Sequence, residues 1–165
     1  MQLENNIKFT IGEIEGVIFK PLHIFVDSRG WLTEIFREDE IENEFMPKMA
    51  YISMTETGIT RGPHEHVDQA DMFVFMKPSK FKLFLWDMRK QSSTYLNKIF
   101  IEVGENNPCM VIIPSGVVHA YKNIGTKQGM VYNLPNRLFA GVGKKEKVDE
   151  VRHESNPDSP FKMDE

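Results

Sequence analysis

Short apolar runs separated by turn residues dominate the chain. Runs of four to eight residues, rich in β-branched and aromatic side chains, are typical of β-strands. The clearest of them lie at 16–19, 30–36, 72–76, 81–86, 98–103, 110–113, 120–123 and 129–132. Glycine, proline, asparagine and serine stand between the runs, as at 27–30, 77–79 and 105–108; such residues favour turns. The pattern therefore predicts an all-β protein built from many short strands.

Helical periodicity is confined to one segment. Glu40, Ile41, Glu44 and Phe45 have helical spacing, which predicts one modest helix at about 38–46. No crossover helices stand between the strands, and parallel strands need such connections. We therefore exclude a parallel α/β sheet and expect a sandwich, barrel or jelly roll.

Composition narrows the functional class. The chain has 165 residues, 41% of them hydrophobic, and a net charge of −4. That charge gives no electrostatic reason to expect nucleic acid or an anionic membrane as a partner. No apolar run approaches the ~20 residues of a membrane-spanning helix, so the cytoplasm is the expected location. Cys109, the single cysteine, lies in an apolar run and is expected to be a buried structural thiol.

The chain divides into a domain and a tail. Residues 1–143 carry the strand pattern and are predicted to form one domain of a size that buries a substantial core. Residues 144–165 are polar and charged, with two prolines near the end. We expect this tail to pack on the surface or to be partly disordered.

Three histidines are the candidate site. His64 and His66 are two residues apart, and residues two apart on a strand share a face. His119 follows a Pro/Gly turn within the pattern P-x-G-x-x-H-x-x-x-N at 114–123. A histidine can also be a satisfied core residue. Three of them in one small β domain nevertheless favour a shared functional site.

These motifs carry a family resemblance. The pattern at 114–123 resembles the second cupin motif, and the chain from about 13 to 142 resembles the dTDP-4-dehydrorhamnose 3,5-epimerase family of cupins. Further landmarks follow in the family's order: D-x-R-G-x-x-x-E at 27–34, G-x-x-R-G-x-H at 58–64 (here with Pro63 at the variable position before the histidine), and D-x-R with S-x-T at 87–94. The resemblance implies a double-stranded β-helix that acts on a deoxythymidine-diphosphate 4-keto-6-deoxysugar.

Catalytic roles follow from the resemblance residue by residue. It implies that His64 removes a proton next to the ketone and that Tyr132 returns one as the general acid. His119 and Asp87 would support the base. The structural alternatives are that Tyr132 packs in the core and that Asp87 caps a strand.

Substrate contacts are implied in the same way. The resemblance assigns the nucleotide to Arg29, Glu34 and Arg61, and an arginine fork suits a diphosphate. Where the family has a Q-x-K segment, this chain has Gln69 followed by alanine and Asp71. We keep Gln69 as a substrate-binding residue. The lysine cation of the family is missing.

Two functional alternatives stay open. The first is a metal-dependent cupin, because His64, His66 and Asp71 have the spacing of the first cupin motif and would join His119 around one divalent ion. A ligated His64 could not also serve as the base, and we expect a metal-free site without a cofactor. The second alternative is a module that binds a nucleotide sugar without turning it over.

A homodimer is the expected assembly. The resemblance implies a dimer whose subunits can lend nucleotide-binding residues to each other. Residues 7–11 alternate in polarity and are predicted to pair with the exposed sheet edge of a neighbour.

Overall fold

Two facing β-sheets and a separate hairpin make up the computed structural model, which describes residues 7–163. The strands are β1 (Thr10–Ile11), β2 (Ile18–Pro21), β3 (Phe25–Asp27), β4 (Gly30–Leu32), β5 (Tyr51–Thr55), β6 (Thr60–Glu65), β7 (Asp71–Phe75), β8 (Lys80–Asp87), β9 (Asn97–Gly104), β10 (Cys109–Ile113), β11 (Val117–Asn123), β12 (Gly129–Asn133) and β13 (Val151–Arg152). One sheet has the order β1-β9-β8-β11-β6-β13 and the other β2-β10-β7-β12-β5, while β3 and β4 pair only with each other. The predicted all-β jelly roll of the cupin type is confirmed.

Alternating side chains build a core between the two sheets. Phe73 and Val111 of one sheet meet Leu85 and Val117 of the other, and all four are buried. A second apolar cluster, which includes Val74, covers the outer face of the five-stranded sheet. Strands buried on both faces lose the polar alternation of a surface strand. This explains why 72–76 and 110–113 read as continuous apolar runs.

The predicted helix at 38–46 is wrong. Two 3₁₀ turns, Glu38–Glu40 and Asn43–Phe45, take its place, and Ile41 between them is extended. Ile41 is buried in the outer apolar cluster, against which Phe45 also packs. Burial of these two side chains against the sheet outweighs a helical propensity that is weak in so short a segment.

The start of the described chain pairs within its own domain. Thr10 and Ile11 lie beside Asn97 and Lys98 in a parallel pair. The pairing that was predicted with a neighbour's sheet is therefore made, for these two residues, with β9 of the same chain. None of the helices among residues 7–163 is long and apolar enough to cross a membrane.

The C-terminal segment is ordered against the domain as far as it is described. Its strand β13 pairs with β6, which places Arg152 opposite His64. Further on, Phe161 is buried and its ring lies 5.4 Å from that of Trp86. The last two residues of the predicted tail lie outside the described part of the chain.

Candidate active site

The three predicted histidines lie together at one end of the core. His64 and His66 are on β6, and His64 is directly opposite His119 on the neighbouring β11. The rings of His64 and His119 are 4.4 Å apart between centroids. Asp71, the first residue of β7, completes the group. Each of the four residues offers one possible ligand atom, and these four atoms all lie within 4.8 Å of one another.

Gly62 allows β6 and β11 to approach so closely. Its φ is +84°, and a Cβ atom at this position would lie 2.5 Å from the carbonyl oxygen of His119. No side chain fits at that distance, and L residues rarely adopt this backbone conformation. The glycine of the R-G-P-H sequence therefore lets His64 lie against His119.

Backbone carbonyls orient two of the imidazoles. Nδ1 of His119 donates to the carbonyl of Val117 at 3.0 Å, and Nδ1 of His66 donates to the carbonyl of Asp149. Both Nε2 atoms therefore point at the carboxylate of Asp71, each 3.2 Å from its Oδ2. The Nε2 of His119 does not have hydrogen-bond geometry there and has no hydrogen-bond partner among residues 7–163.

The cluster separates the protonation states of its members. Burial, together with the neighbouring His119 and His66, lowers the pKa of His64 to about 3, so this imidazole is neutral. Burial alone would also lower the pKa of His66, but the hydrogen bond and charge of Asp71 raise it to about 9. Burial opposes ionisation of Asp71, yet the two imidazoles beside it hold the pKa of its carboxyl well below the usual range. A neutral imidazole thus lies next to a charged pair.

A cavity of about 1000 Å³ opens beside the cluster. His64 and His66 line it together with Arg61, Tyr51 and Phe73. Asp71 and His119 are almost fully buried, at 2% and 1% exposure. The chamber is large enough for a substrate of nucleotide-sugar size and is lined by both polar and aromatic groups.

Arg61 and Gln69 are the predicted substrate-binding residues that line this cavity. Arg61 donates through Nε to the hydroxyl of Thr55 at 3.0 Å and through Nη2 to the carbonyl of Met54 at 2.8 Å. Gln69 donates to Oδ1 of Asp71 at 2.8 Å. The guanidinium is thus held in place, and Gln69 belongs to the histidine cluster as much as to the cavity wall.

Tyr132 does not reach the site. It lies opposite Val74 in the sheet and packs with it in the outer apolar cluster. Side chains alternate along a strand, so the neighbouring Asn133, opposite Phe73, faces the interior instead. The structure therefore does not bring Tyr132 to this cavity, and the structural alternative, in which Tyr132 packs with apolar neighbours, fits its contacts.

The hydrogen bonds of Asp87 also go to residues other than the histidines. It lies opposite Val117 and is buried, but its carboxylate accepts hydrogen bonds from Arg89, Ser92 and Thr94. The predicted role of Asp87 in orienting an imidazole is not supported by this network, which instead ties the end of β8 to the following loop.

Arg29 and Glu34 lie away from the cavity of their own chain. Arg29 is in the turn of the β3–β4 hairpin, 85% exposed, and pairs with Asp27. Glu34 is 59% exposed and pairs with Arg37. The structure does not bring either of them to the histidines.

The sequence analysis did not assign two residues of this region, Tyr51 and Asp149, to the site. Tyr51 faces the interior, because it lies opposite Asn133, whose amide donates to its hydroxyl at 2.8 Å. The alternation of 51–55 could have indicated this strand. Asp149 accepts from the backbone amides of Val67, Asp68 and Gln69 at 2.8–2.9 Å. Nothing in the local sequence indicates that contact.

Comparison with known proteins agrees with the fold and the motifs. The family model described as dTDP-4-dehydrorhamnose 3,5-epimerase matches residues 12–145. The chain belongs to this family. Among its curated relatives is a probable low-salt glycan biosynthesis epimerase, Agl13 of Haloferax volcanii, which is 35% identical over 127 residues, or 76% of this chain and 81% of Agl13. Membership of the dTDP-4-dehydrorhamnose 3,5-epimerase family supports a sugar epimerase.

Solved structures share the architecture. A dTDP sugar isomerase from Desulfovibrio desulfuricans superposes with a TM-score of 0.78 at 18% identity, over 90% of this chain and 91% of that one. The 3'-monoepimerase ChmJ of Streptomyces bikiniensis gives 0.72 at 19% identity, over 86% of this chain and 71% of ChmJ. At such identities the likeness shows the fold of the family.

Proposed function

We propose that this protein epimerises a nucleotide-diphospho 4-keto-6-deoxysugar at a carbon next to the ketone. The observation that carries the proposal is a neutral, half-buried His64 that opens with Arg61 into a substrate-sized cavity. Family membership supplies the reaction class. The ChmJ structure contains dTDP-quinovose, which supports a nucleotide sugar as the ligand.

The reaction is a proton removal followed by a proton return. The 4-keto group acidifies the hydrogens on C3 and C5. His64 takes one of these protons, and the electron pair of the broken C–H bond passes into an enolate. An acid on the opposite face of the sugar then protonates the same carbon, which inverts its configuration. A positioned base or acid contributes roughly 10²–10⁴-fold to such a rate.

The surroundings of His64 keep it ready to accept a proton. Burial and the neighbouring imidazoles lower its pKa, so it is unprotonated at physiological pH. A base with so low a pKa is weak, but a nearby negative charge favours the protonated form of an imidazole. A bound diphosphate brings such a charge and would raise the pKa of His64 toward the pH at which the enzyme works.

Tyr51 is the acid that we assign in place of Tyr132. It lies on β5 of the sheet that faces the histidine strands, and its hydroxyl is held by the amide of Asn133. A base and an acid on facing sheets suit a reaction that inverts a carbon between them. Tyr121 also lines the cavity, but it is on the same strand as His119 and its hydroxyl bonds to Ser53.

Arg61 and Gln69 are proposed to hold the nucleotide diphosphate and the sugar from one side. Guanidinium groups suit phosphate oxygens because they offer several donors in a fixed plane. Arg61 is at the cavity wall with its planar group anchored by two hydrogen bonds. This places a permanent cation in the wall of the same cavity as the proposed base, three residues before it on β6.

A homodimer would give Arg29 and Glu34 a role. The hairpin that carries Arg29 exposes large apolar side chains, among them Val26 at 75% and Leu32 at 57%. The edge strand β5 exposes Ile52 at 58% as well. Exposed apolar side chains of this size on two elements are consistent with an interface. We propose that the hairpin packs on a second copy and contributes Arg29 and Glu34 to that copy's cavity.

Heavy-water exchange tests the proposal. The protein is incubated in heavy water with dTDP-4-keto-6-deoxyglucose, and deuterium at C3 and C5 is followed by NMR. We expect incorporation that falls by at least about 10²-fold in His64→Ala. The exposed His23→Ala serves as a matched control and should exchange at the wild-type rate. Binding of the sugar nucleotide without any exchange would refute the epimerase and support the binding module.

A further inference from the structure

A strap of the chain forms one side of the cavity. Residues 140–148, which we call the flap, lie between β12 and β13, and several of them line the cavity. On the N-terminal side the chain is tied down where Arg137 pairs with Asp68 at 2.6 Å. On the C-terminal side the carboxylate of Asp149 accepts its three backbone amides. The flap is therefore anchored at both ends beside the histidines.

The middle of the flap is loosely held. Residues 142–148 are exposed, and among residues 7–163 the backbone hydrogen bonds of the flap go only to itself and to Leu138. Ala140 and Lys144 have φ angles of +53° and +58°, a conformation that residues other than glycine seldom adopt. Segments with few buried contacts and exposed backbone hydrogen bonds open at a low cost in free energy. The flap is thus a wall of the cavity that can move.

The cavity wall holds cations without a counter-charge. Arg152 in this wall pairs with Glu150. By contrast, three lysines that line the cavity have no ion pair among residues 7–163: Lys48, Lys144 and Lys147. The last two belong to the flap. The carboxylate of the flap, that of Glu146, is turned toward Gly141, where a Cβ atom would collide with it. The ammonium groups of the flap are therefore available to an anionic ligand.

We propose that Lys144 and Lys147 bind the diphosphate of the nucleotide sugar and that the flap closes on it. The choice of ligand rests on the proposed function. Arg61 lines the same cavity from β6, so a diphosphate between the flap and Arg61 has cations on two sides. Ammonium groups make charge-assisted hydrogen bonds to phosphate oxygens. Closure also removes water from the sugar, which strengthens the electrostatic interactions around His64.

Binding of dTDP to the full-length protein, measured by calorimetry, tests this inference without turnover. We expect Lys144→Gln/Lys147→Gln to weaken binding at least about tenfold. Lys145 provides the matched control, because it is exposed in the same flap but lies over Gly143 and does not line the cavity. Lys145→Gln should change the affinity less than about twofold, as expected for a screened surface charge. Lys144→Arg/Lys147→Arg keeps the charge and should restore binding, and thymidine, which has no phosphate, should not distinguish the variants.

Limited proteolysis with trypsin reports on closure. Trypsin cleaves after lysine, and exposed loops are its preferred sites. The bond after Lys145 is present both in the wild type and in Lys144→Gln/Lys147→Gln, so its cleavage can be compared by mass spectrometry. Saturating dTDP should slow this cleavage at least about tenfold in the wild type, because the bound flap opens less often, and much less in the double variant.

Several results would overturn the inference. These are a wild type that does not bind dTDP, equal affinities of the double glutamine variant and Lys145→Gln, or cleavage after Lys145 that dTDP does not slow. Thermal unfolding checks that each variant is folded. Lysine-dependent binding of dTDP without heavy-water exchange would refute the proposed function alone. Exchange by a protein whose dTDP affinity does not depend on Lys144 and Lys147 would refute the role of the flap alone.

Discussion

The contact between Asp149 and the loop after His66 makes a quantitative prediction. The carboxylate of Asp149 accepts three backbone amides, from Val67, Asp68 and Gln69, at 2.8–2.9 Å. These bonds lower the pKa of Asp149, although burial opposes that shift. Asp149→Asn removes the charge and replaces one acceptor oxygen by an NH₂ group, which faces amide donors. The segment that carries His66 should therefore loosen.

The size of the effect follows from the hydrogen bonds. A bond to a charged group contributes about 1.5–3 kcal/mol when it is well shielded. Asp149 is only partly buried, so water replaces part of what is lost. One acceptor oxygen also remains. We therefore expect a loss of about 2 kcal/mol in the free energy of unfolding, or roughly 4–8 °C in Tm for a chain of this length.

Two measurements check this prediction. Urea unfolding should show the loss of stability in Asp149→Asn and no change in the control Asp158→Asn, an exposed residue whose carboxylate accepts no hydrogen bond among residues 7–163. Hydrogen exchange should accelerate at the amides of Val67, Asp68 and Gln69 before it does in β7. Equal stability of the two variants, or unchanged protection of these amides, would refute the reasoning.

Three further predictions concern catalysis, pH and assembly. Tyr51→Phe should slow heavy-water exchange by roughly 10²–10⁴-fold and Tyr132→Phe by less than about threefold, since of these two residues only Tyr51 faces the cavity. A larger effect of Tyr132→Phe would exclude Tyr51 as the acid. Hydrogen bonds from Arg89 and its neighbours outweigh burial and lower the pKa of Asp87 to about 2. The ionised Asp87 therefore contributes about 2 kcal/mol to the free energy of unfolding above pH 4, and this contribution should be lost as the pH falls toward 2. Urea unfolding of Asp87→Asn should accordingly show a smaller loss of stability over that pH range than the wild type. An identical slope in the two proteins would contradict this. Light scattering at micromolar concentration should give a dimer, and Val26→Asp should give a monomer; a monomeric wild type would refute the proposed interface.

Much of the site could be predicted because it is local in the sequence. His64 and His66 share a face through the period of two along a strand, and the turn before His119 sets the start of β11. The all-β fold follows from the same periodicity. Asp71 was found through its spacing alone. The direction of its side chain could not be predicted from the sequence. Asp71 follows His66 by five residues, an odd number, so the turn between them decides whether the two side chains share a face.

The tertiary structure alone decided the partners of these residues. Tyr132 and Asn133 are neighbours on one strand, and only the register against Phe73 and Val74 determines which of them faces the cavity. A shift by one residue exchanges the two faces of a strand, so a motif match cannot settle the matter. Asp149 reaches the loop after His66 from more than eighty residues away, through the pairing of β13 with β6. Periodicity and motifs report on residues that are near in the sequence. The side chain that faces His64 across the cavity, the contact of Asp149 and the convergence of His66 and His119 on Asp71 depend on how separate strands pack.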